Sequence, residues 1–532
     1  MTPASVHKAA CCAVVMFAAA LAGCGGGGGD DGGTGGGGTV PPPASGWVAG
    51  SFLPASSFAG KCVNPRSGTD PQTGQPYNET LGTATDENNF LRSWSNDLYL
   101  WYNEIVDRDP GLHLTPEYFN LLKTTATTAS GAPKDKFHFT YDTAAWLALI
   151  QSGTEAGYGA VWAELATRPP RRIVVAYTHP NSPAATANLQ RGEEIVLIDG
   201  VDVVNSSTQA EIETFLAGLY PDQLDETHSF RLRNPQTGAE RTVTMQSRNV
   251  TIDPVQNGKI IPTATGAVGY IHFTDHLLVA EQQLIDEFTT FAQLPVADLV
   301  LDLRYNGGGL LAIASEVAYM VAGDVRTAGQ TFERLVFNDK HTAINPVTGG
   351  ALTPMPFLNT SSTNQPLPTL NLPRVYVLTG GGTCSASESI INGLRGVGVE
   401  VIQIGSTTCG KPYGFYPDDN CGTTYFSVQF KGVNATGFGD YTDGFAPNNT
   451  TSAGAERLPG CSVLDDFSDP LGDLQEARLE AALIHRFAGG ICPAPSGSKP
   501  SFTKPLNDAA VEGPDVMVIK SPWLTNRILE AE

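Results

Sequence analysis

Strands and helices alternate along the second half of the chain, and this alternation limits the fold more than any other feature of the sequence. From about residue 266, short apolar runs of strand length alternate with amphipathic stretches of helix length. The predicted strands are Val268–Phe273, Leu299–Leu303 and Val375–Leu378, and the predicted helices are Glu281–Phe291 and Leu310–Val321. Alternation of this kind indicates an α/β core.

Two smaller regions precede this core. Between about residues 151 and 250, short strands are closed by turn residues, as where Glu194–Ile198 is followed by Asp199 and Gly200, which predicts a β-rich module. Further upstream, apolar residues recur every three or four positions between Asn88 and Ile105, which predicts one amphipathic helix. The apolar residues of that helix are Phe90, Leu91, Trp94, Leu98, Trp101 and Ile105.

The first 46 residues are not expected to take part in the fold. Lys8 precedes an apolar run from Ala9 to Ala22, which is typical of a targeting segment. Residues 25–46 are mostly Gly, and because such a composition cannot bury a core, they are predicted to form a flexible tether. No later stretch has the roughly 18 consecutive apolar residues of a membrane-spanning helix.

The end of the apolar run, Leu21-Ala22-Gly23-Cys24, resembles the lipobox of bacterial lipoproteins. This resemblance implies that Cys24 is acylated, that the leader is cleaved before it, and that the protein lies in the bacterial cell envelope. Gly25 follows the cysteine where an Asp would retain such lipoproteins in the inner membrane. The resemblance therefore implies the outer membrane, facing the periplasm or the cell surface. A plain secretory signal with an incidental cysteine is the alternative.

Composition argues against one class of partner. The 532 residues are 41% hydrophobic, which is enough for two or three domains with their own cores. They include 32 Lys and Arg against 54 Asp and Glu, so the formal net charge is -22. A surface of this charge repels phosphate backbones, and nucleic acid is therefore not an expected partner.

The cysteines predict disulfides rather than a metal site. Outside the leader and Cys24, an even number remains, which in an oxidising compartment favours disulfides. Many pairings are open, and the two favoured ones are Cys409 with Cys421, around a turn-rich loop, and Cys461 with Cys492, around a helical segment. No C-x-x-C or H-E-x-x-H motif occurs, so neither a metal nor another cofactor is expected.

One segment carries a candidate nucleophile. The strand Val375–Leu378 leads into a glycine-rich turn and then into an apolar-faced helix, which places Ser385 at the helix N-terminus. The free N–H groups and the positive end of the helix dipole there favour a developing negative charge. The alternative is that Ser385 only caps the helix, with Glu388 completing a capping box.

A second segment carries a candidate base. Lys411 ends a turn, Gly405–Lys411, that follows the apolar strand Val399–Ile404. A lysine can act as a general base when burial lowers its pKa from the ordinary value of about 10.4 towards neutrality. Most lysines are solvated, so the spacing alone does not assign this role.

Together these segments resemble the C-terminal processing, or tail-specific, serine peptidases. Ser385-Ala386-Ser387-Glu388 is similar to the Ser-Ala-Ser-Glu core of that family, and Lys411 falls on its Gly-Lys motif. A third segment, Asp302–Gly309, is similar to its Asp-Leu-Arg-x-Asn-x-Gly-Gly stretch. The resemblance implies that Ser385 is the nucleophile, that Lys411 is the base, and that the backbone N–H groups of Gly308 and Ala386 form the oxyanion hole. Structurally, Asp302 and Arg304 are expected to be framework.

The chain departs from the family beside the lysine. Pro412 follows Lys411 where the family has Gly, and Phe415 occupies a position at which several relatives have a Gln that orients the lysine. Another residue must then orient Lys411. Glu388 is the first candidate and Gln429, on the following strand, is the second.

The β-rich module resembles a PDZ domain of the kind that accompanies bacterial proteases. The resemblance is carried by Asn181–Ala185, Leu189, Gly192-Glu193 and Ile198–Gly200. PDZ domains add a peptide C-terminus as a strand to a sheet edge and hold its carboxylate with backbone N–H groups. Gly157-Tyr158-Gly159 stands where that carboxylate loop is expected, although these residues could also form a simple turn.

The sequence therefore predicts an α/β (α+β) serine peptidase core at residues 251–532 with an inserted β-rich PDZ domain at 151–250. A small helical N-terminal region at 47–150, a Gly-rich tether at 25–46 and a lipoprotein signal peptide at 1–24 precede them. The expected activity is hydrolysis of polypeptides through a Ser–Lys dyad, with membrane contact only through Cys24. The alternative is a non-catalytic peptide-binding or scaffolding lipoprotein on a peptidase fold.

Overall fold

The computed structural model describes residues 47–71, 73–221, 223–493, 517–519 and 527–528. The predicted signal peptide, Cys24 and the Gly-rich tether lie outside the described residues. Among the helices that are described, none is both long enough and apolar enough to cross a membrane.

The region before the β-rich module is built around two packed helices. Its helices are α1 (Ala84–Leu98), α2 (Thr115–Leu121) and α3 (Thr143–Ser152), and its strands are β1 (Lys61–Cys62), β2 (Thr80–Leu81) and β3 (Phe139–Asp142). A capping box between Thr83 and Asp86 starts α1. The helix ends at Leu98, so the predicted helix up to Ile105 was too long. Tyr99 leaves the helix with φ -59° and ψ 131°, and its buried hydroxyl donates to Asp135 at 2.7 Å.

The β-rich module has its own sheet and core. Its helices are α4 (Pro183–Thr186) and α5 (Gln209–Leu219), and its strands are β4 (Thr154–Gly157), β5 (Ala160–Ala166), β6 (Arg172–Thr178), β7 (Glu194–Ile198), β8 (Val201–Asp202), β9 (Thr227–Arg233), β10 (Glu240–Gln246) and β11 (Arg248–Thr251). The module's own strands form an antiparallel sheet of order β10-β9-β7-β6-β5, and a strand from residues 517–519 extends this sheet beyond β5. β8 pairs with β7, and β4 pairs with β11. Trp162, Phe215 and Phe230 lie at the centre of the module's core.

The rest of the chain forms the α/β core. Its helices are α6 (Ala280–Gln293), α7 (Leu311–Ala322), α8 (Asp324–Thr327), α9 (Ala386–Gly396) and α10 (Ala477–Phe487). Its strands are β12 (Val255–Ile261), β13 (Val268–Phe273), β14 (Asp298–Asp302), β15 (Gly309–Leu310), β16 (Thr331–Val336), β17 (Met355–Pro356), β18 (Arg374–Thr379), β19 (Glu400–Gly405), β20 (Tyr413–Gly414), β21 (Asp418–Asn420), β22 (Thr423–Phe426), β23 (Phe430–Val433), β24 (Phe445–Pro447), β25 (Glu456–Leu458), β26 (Gly460–Ser462) and β28 (Arg527–Ile528). One further strand, β27 (Met517–Ile519), pairs with β5 of the β-rich module.

A six-stranded sheet of order β12-β13-β14-β18-β19-β26 organises this core. Only β12 is antiparallel to its neighbour, and the other pairs are parallel. Because side chains alternate between the faces of a strand, Val375 and Val377 pack with α6, α7 and α9, whereas Tyr376 and Leu378 pack with α10 on the other face. The predicted α/β core is confirmed.

Three disulfides connect the described cysteines. Cys461 and Cys492 are bonded as predicted, with their Cα atoms 5.5 Å apart. The predicted pair Cys409–Cys421 is wrong, because Cys409 bonds Cys384 and Cys421 bonds Cys62. The eleven residues between Cys409 and Cys421 do not fold back as one loop. They contain β20 and β21 and bring Cys421 to the turn before β22, which pairs with β3 of the N-terminal region.

Candidate active site

Three loops follow neighbouring strands of the central sheet. Residues 303–308 come after β14, residues 380–385 after β18 and residues 406–411 after β19. These three strands are parallel and adjacent in the sheet. Their carboxyl ends lie at one edge, which is where open α/β sheets place their ligands. The topology therefore brings together the three motifs that are far apart in the sequence.

Ser385 sits on a strained turn between β18 and α9. It is fully buried, and its φ of 58° with ψ of -115° lies in a region that non-glycine residues rarely adopt. An ordinary helix cap has an extended backbone and would not need this strain. Strain of this kind clusters at functional sites, where the surrounding structure holds it in place. The predicted capping box with Glu388 is present, so Ser385 does cap α9, but its backbone conformation is not the one an ordinary cap adopts.

The carboxylate of Glu388 joins the nucleophile turn to the lysine turn through main-chain hydrogen bonds. Its Oε2 accepts the backbone N–H groups of Ser385 at 3.0 Å and Lys411 at 2.8 Å. Its Oε1 accepts the N–H of Gly410 at 2.9 Å and the hydroxyl of Thr408 at 2.5 Å. Complete burial raises the pKa of Glu388, and these hydrogen bonds oppose that rise. Glu388, the first candidate for orienting Lys411, thus contacts that residue through its backbone N–H.

Lys411 is fully buried between two aromatic rings. Its Nζ lies 4.8 Å from the ring centroid of Phe137 and 4.6 Å from that of Phe415. Phe415, which departs from the family pattern, therefore forms one wall of the lysine's environment. Phe137 comes from the N-terminal region, and nothing in its local sequence pointed to this contact. Gln429 is engaged elsewhere, because its side-chain amide exchanges two hydrogen bonds with the backbone of Tyr416.

A disulfide ties the same two turns together covalently. Cys384 directly precedes Ser385, and it bonds Cys409, two residues before Lys411, with their Cα atoms 5.1 Å apart. Potential metal-ligand atoms of Cys384, Glu388 and Cys409 lie within 4.8 Å of one another. The two sulfurs are bonded to each other, so they do not offer the thiolates that a zinc site requires.

The two predicted oxyanion donors lie in the loop after β14 and at the start of α9, and hydrogen bonds connect these two segments. Ala386 is the first residue of α9, where helix geometry leaves the N–H without a partner inside the helix. Gly308 has φ 104°, which favours glycine, and its N–H donates to Oδ1 of Asn306 at 2.9 Å. The carbonyl of Asn306 in turn accepts the N–H of Cys384 at 3.1 Å and the hydroxyl of Ser387 at 3.0 Å. An oxyanion at Gly308 would therefore compete with the Asn306 side chain.

Arg304, at the start of the loop after β14, is held by buried ion pairs. Its guanidinium is fully buried and contacts the carboxylates of Asp302, Asp465 and Glu476 at 2.6 to 2.9 Å. Burial works against charge, but the carboxylates outweigh it and hold the pKa of Arg304 well above its ordinary value. Asp302 and Arg304 are thus structural, as expected.

The predicted peptide-binding residues lie in the β-rich module. Gly157, Tyr158 and Gly159 connect β4 to β5. The side chain of Tyr158 is buried in the module's core, and its carbonyl accepts the N–H of Ala184 at 2.9 Å. They stand before β5, the last strand that the module itself contributes to its sheet, and they belong to a different region from the loops that carry Ser385 and Lys411.

Comparison with known proteins agrees with this arrangement. Residues 267–414 match the family model of Peptidase family S41. A carboxyl-terminal-processing protease of Picosynechococcus sp. is 27% identical over 232 residues, which are 44% of this chain and 49% of that protein. The chloroplastic C-terminal processing peptidase of Tetradesmus obliquus is 30% identical over 190 residues, which are 33% of this chain and 39% of that protein. The chain spans half the length or less of these curated relatives.

The fold is also similar to a known crystal structure. A protein of Bacteroides fragilis described as an S41 protease superposes with a TM-score of 0.56 at 23% identity, over 75% of this chain and 97% of that one. At this identity the likeness concerns the fold. Fold and site together resemble those of serine-type peptidases. The particular family that its core matches is peptidase S41, and the matched residues include Gly308, Ser385 and Lys411.

Proposed function

We propose that the protein is a serine endopeptidase that hydrolyses polypeptides through a Ser385–Lys411 dyad. The observation that carries this proposal is the Glu388 carboxylate, which binds the backbone N–H groups of both residues. The disulfide between Cys384 and Cys409 fixes the same two turns a second time. A scaffold without activity would have no need to hold a serine and a lysine together in this way.

The mechanism is acyl transfer. The neutral amine of Lys411 accepts the proton of the Ser385 hydroxyl as Oγ attacks a peptide carbonyl carbon. Backbone N–H groups at Ala386, and at Gly308 once Asn306 yields, stabilise the oxyanion. The intermediate collapses, the C–N bond breaks, and the lysine ammonium returns its proton to the leaving amine. Water then hydrolyses the ester on Ser385 with Lys411 again acting as base. No step requires a cofactor.

The dyad is tested by three substitutions. We expect Ser385→Ala and Lys411→Ala to abolish turnover of an unfolded protein by similar factors, because residues that act as one unit lose their effect together. Lys411→Arg should be equally inactive, since a guanidinium stays protonated and cannot accept the serine proton. Turnover and labelling of Ser385 by a fluorophosphonate are the measurements. A correctly folded Lys411→Ala protein with normal turnover would refute the dyad, and an unlabelled, inactive wild-type chain would favour the scaffolding alternative.

We further propose that the β-rich module is a PDZ domain that binds the end of a polypeptide substrate. The support is the order of its elements, in which the loop Gly157–Gly159 leads into β5, the last strand that the module itself contributes to its sheet, with a short strand from residues 517–519 paired on its outer side. Strand addition at such an edge is the recognition mode of PDZ domains. Binding of a peptide amide and of the same peptide with a free carboxylate should differ strongly. Equal affinities would contradict capture of the carboxylate.

The location follows from the same reading of the sequence. We propose that Cys24 anchors the protein by a lipid to the envelope, in the outer membrane, and that the dyad acts on polypeptides there. Three disulfides among the described residues support an oxidising compartment. Cys24→Ala should release the protein from the membrane fraction of cells, and its retention there would contradict the anchor.

A further inference from the structure

Two short strands from the far end of the sequence lie on the two halves of the molecule that a substrate would have to contact. We call them the distal segment, which consists of β27 and β28. The first pairs with the β-rich module and the second with the catalytic core. Neither has a role in the mechanism above.

The strand β27 completes the sheet of the module. Met517, Val518 and Ile519 pair antiparallel with Glu164, Ala163 and Trp162 of β5. Among the described residues, β5 has β6 on its other side and would be the edge of the sheet without β27. An open edge presents unpaired N–H and C=O groups and is a template for an added strand. β27 therefore occupies this edge in the way that a peptide ligand does.

The strand β28 lies beside the catalytic loops. Arg527 and Ile528 pair in parallel with Gly309 and Leu310, the two residues that directly follow the oxyanion glycine Gly308. β28 also lies next to β20, which begins two residues after Lys411. Its backbone is thus in contact with the segment next to the oxyanion hole and close to the segment next to the base. An extended peptide placed for cleavage must pass between the same two segments.

The sequence before the distal segment is suited to tethering. Residues 494–505 are rich in Pro and Ser, a composition common in linkers, whereas residues 516–529 include Val, Met, Ile, Trp and Leu. A ligand that is joined to its site by a short linker has an effective concentration there in the millimolar range. Even weak pairing would then keep the site occupied.

We propose that the distal segment is a tethered peptide ligand that occupies the substrate path of this peptidase and competes with polypeptide substrates. The ligand that this site would take is an extended apolar peptide, bound by backbone pairing at β5 and at Gly309-Leu310. A substrate must displace it before reaching Ser385. This inference rests on the proposed function for its effect on turnover, but the binding itself does not require an active dyad.

The kinetic test uses the full chain. Val518→Pro removes a backbone donor and introduces a residue that paired strands exclude, so the segment should leave β5. We expect the apparent KM for an unfolded protein to fall about tenfold while kcat changes little, because the competitor is weakened and the dyad is untouched. Ser498→Pro, outside the paired strands, is the matched control and should behave as the wild type. An unchanged KM in Val518→Pro overturns the proposal.

A binding test separates this proposal from the dyad. In the Ser385→Ala background, a fluorescent peptide with the sequence of residues 511–532 is titrated against chains with and without Val518→Pro. The peptide should bind the Val518→Pro chain at least about tenfold more tightly, since its own site is vacated there. Equal binding overturns the proposal, whatever the activity of the wild type. Rapid self-cleavage within the segment by the wild type also overturns it, because the segment would then be a substrate and not a standing competitor.

Discussion

Glu388 is the residue on which the geometry of the site depends. One carboxylate oxygen accepts N–H groups from both proposed catalytic residues, and the other holds the turn between them. A carboxylate can do this because both oxygens are acceptors. Its role is to position the two turns, since it reaches Lys411 through the main chain.

Glu388→Gln should therefore lower both kcat and the free energy of unfolding by more than the removal of one charge would. An amide replaces one acceptor with an NH2 donor, which would face backbone N–H groups in this buried site. We expect kcat to fall about a hundredfold, because small displacements of reacting groups have effects of that size. Unsatisfied buried donors should also lower the free energy of unfolding by about 1–3 kcal/mol.

Glu400→Gln is the control for this experiment, because Glu400 is an exposed carboxylate at the start of β19. It should leave kcat and the melting temperature unchanged. If Glu388→Gln lowered only the melting temperature while kcat stayed normal, the carboxylate would be structural and would not position the dyad.

At the scale of elements, the disulfide Cys384–Cys409 joins the turn after β18 to the turn after β19. Replacing both cysteines, as Cys384→Ser with Cys409→Ser, should lower the free energy of unfolding by about 2–4 kcal/mol. It should also lower kcat, because the two turns that carry the proposed dyad would be held only by hydrogen bonds. Urea unfolding and steady-state turnover measure the two effects.

The chain provides a matched control for this cross-link. Cys461 and Cys492 close a loop of similar length, with a separation of 31 residues against 25. That bond lies on the α10 side of the sheet, beside the end of β19, and it does not join the turns that carry Ser385 and Lys411. Its double Ser variant should lose similar stability and keep its kcat. Equal losses of kcat in both variants would show that the bond near Ser385 acts only through global stability.

Local sequence signals predicted most of these elements, and long-range contacts account for the rest. The strands Val268–Phe273 and Val375–Leu378 were found because a buried strand needs a continuous apolar run. α1 ends at Leu98 instead of Ile105, and the residues after it contact distant parts of the chain: the N–H of Leu100 donates to the carbonyl of Val428, and the Tyr99 hydroxyl donates to Asp135, 36 positions away. The predicted bond of Cys409 to Cys421 was wrong for the same reason, since strand pairing between β22 and β3 decides where Cys421 lies.

The same division holds for the site: its motifs could be predicted from the sequence, and the contacts between its loops could not. Ser385 and Lys411 stand in motifs that can be read from the chain, and parallel strands bring those motifs together. The aromatic wall at Phe137 and the backbone contacts of Glu388 could not be read, because they depend on how separate loops face each other. Such contacts leave no periodic trace in a sequence.

At the scale of the whole molecule, buried charge links the module to the core. Arg191, in the turn before β7, donates to the hydroxyl of Tyr305 and to the carboxylate of Asp465, each at 2.8 Å. Asp465 also binds Arg304, which anchors the loop leading to Gly308. The position of the module is thus connected to the oxyanion loop by named contacts.

Arg191→Ala should affect turnover of a protein substrate, which is proposed to need the module, more than turnover of a small ester, which does not. We expect the KM for an unfolded protein to rise severalfold, because the module no longer sits firmly against the loop at Tyr305. Turnover of a small ester should change less, since such a substrate does not need the module. Arg233→Ala is the control, because Arg233 pairs with Glu240 inside the module. Equal changes for both substrates would argue against a link between module and site.

The same cluster predicts how stability depends on pH. Burial alone would raise the pKa of Asp302 and Asp465, but the neighbouring arginines outweigh it and hold both below the ordinary range. A carboxyl whose pKa is lower in the folded state stabilises the fold above its unfolded pKa, and this stability is lost as the pH falls. The free energy of unfolding should therefore decrease below about pH 4, the unfolded value for Asp.

Asp465→Asn tests this assignment. It leaves Arg191 and Arg304 short of a buried partner, so the free energy of unfolding at pH 7 should drop by about 3–5 kcal/mol. The remaining acid dependence should be shallower than in the wild type. Asp286→Asn, on the exposed face of α6, should leave both quantities unchanged. A wild-type acid slope in Asp465→Asn would mean that other carboxyls cause it.

The bond between Cys62 and Cys421 has a consequence of a different kind. These residues are 359 positions apart, so the bond closes the chain into a covalent ring that contains the β-rich module, Ser385 and Lys411. If one peptide bond within that ring were cut, the two pieces of the chain would stay joined through the disulfide. A nicked molecule would still run as one species on a gel without reductant and would separate into two only after reduction. One accidental cut within the ring therefore need not dismantle this protein.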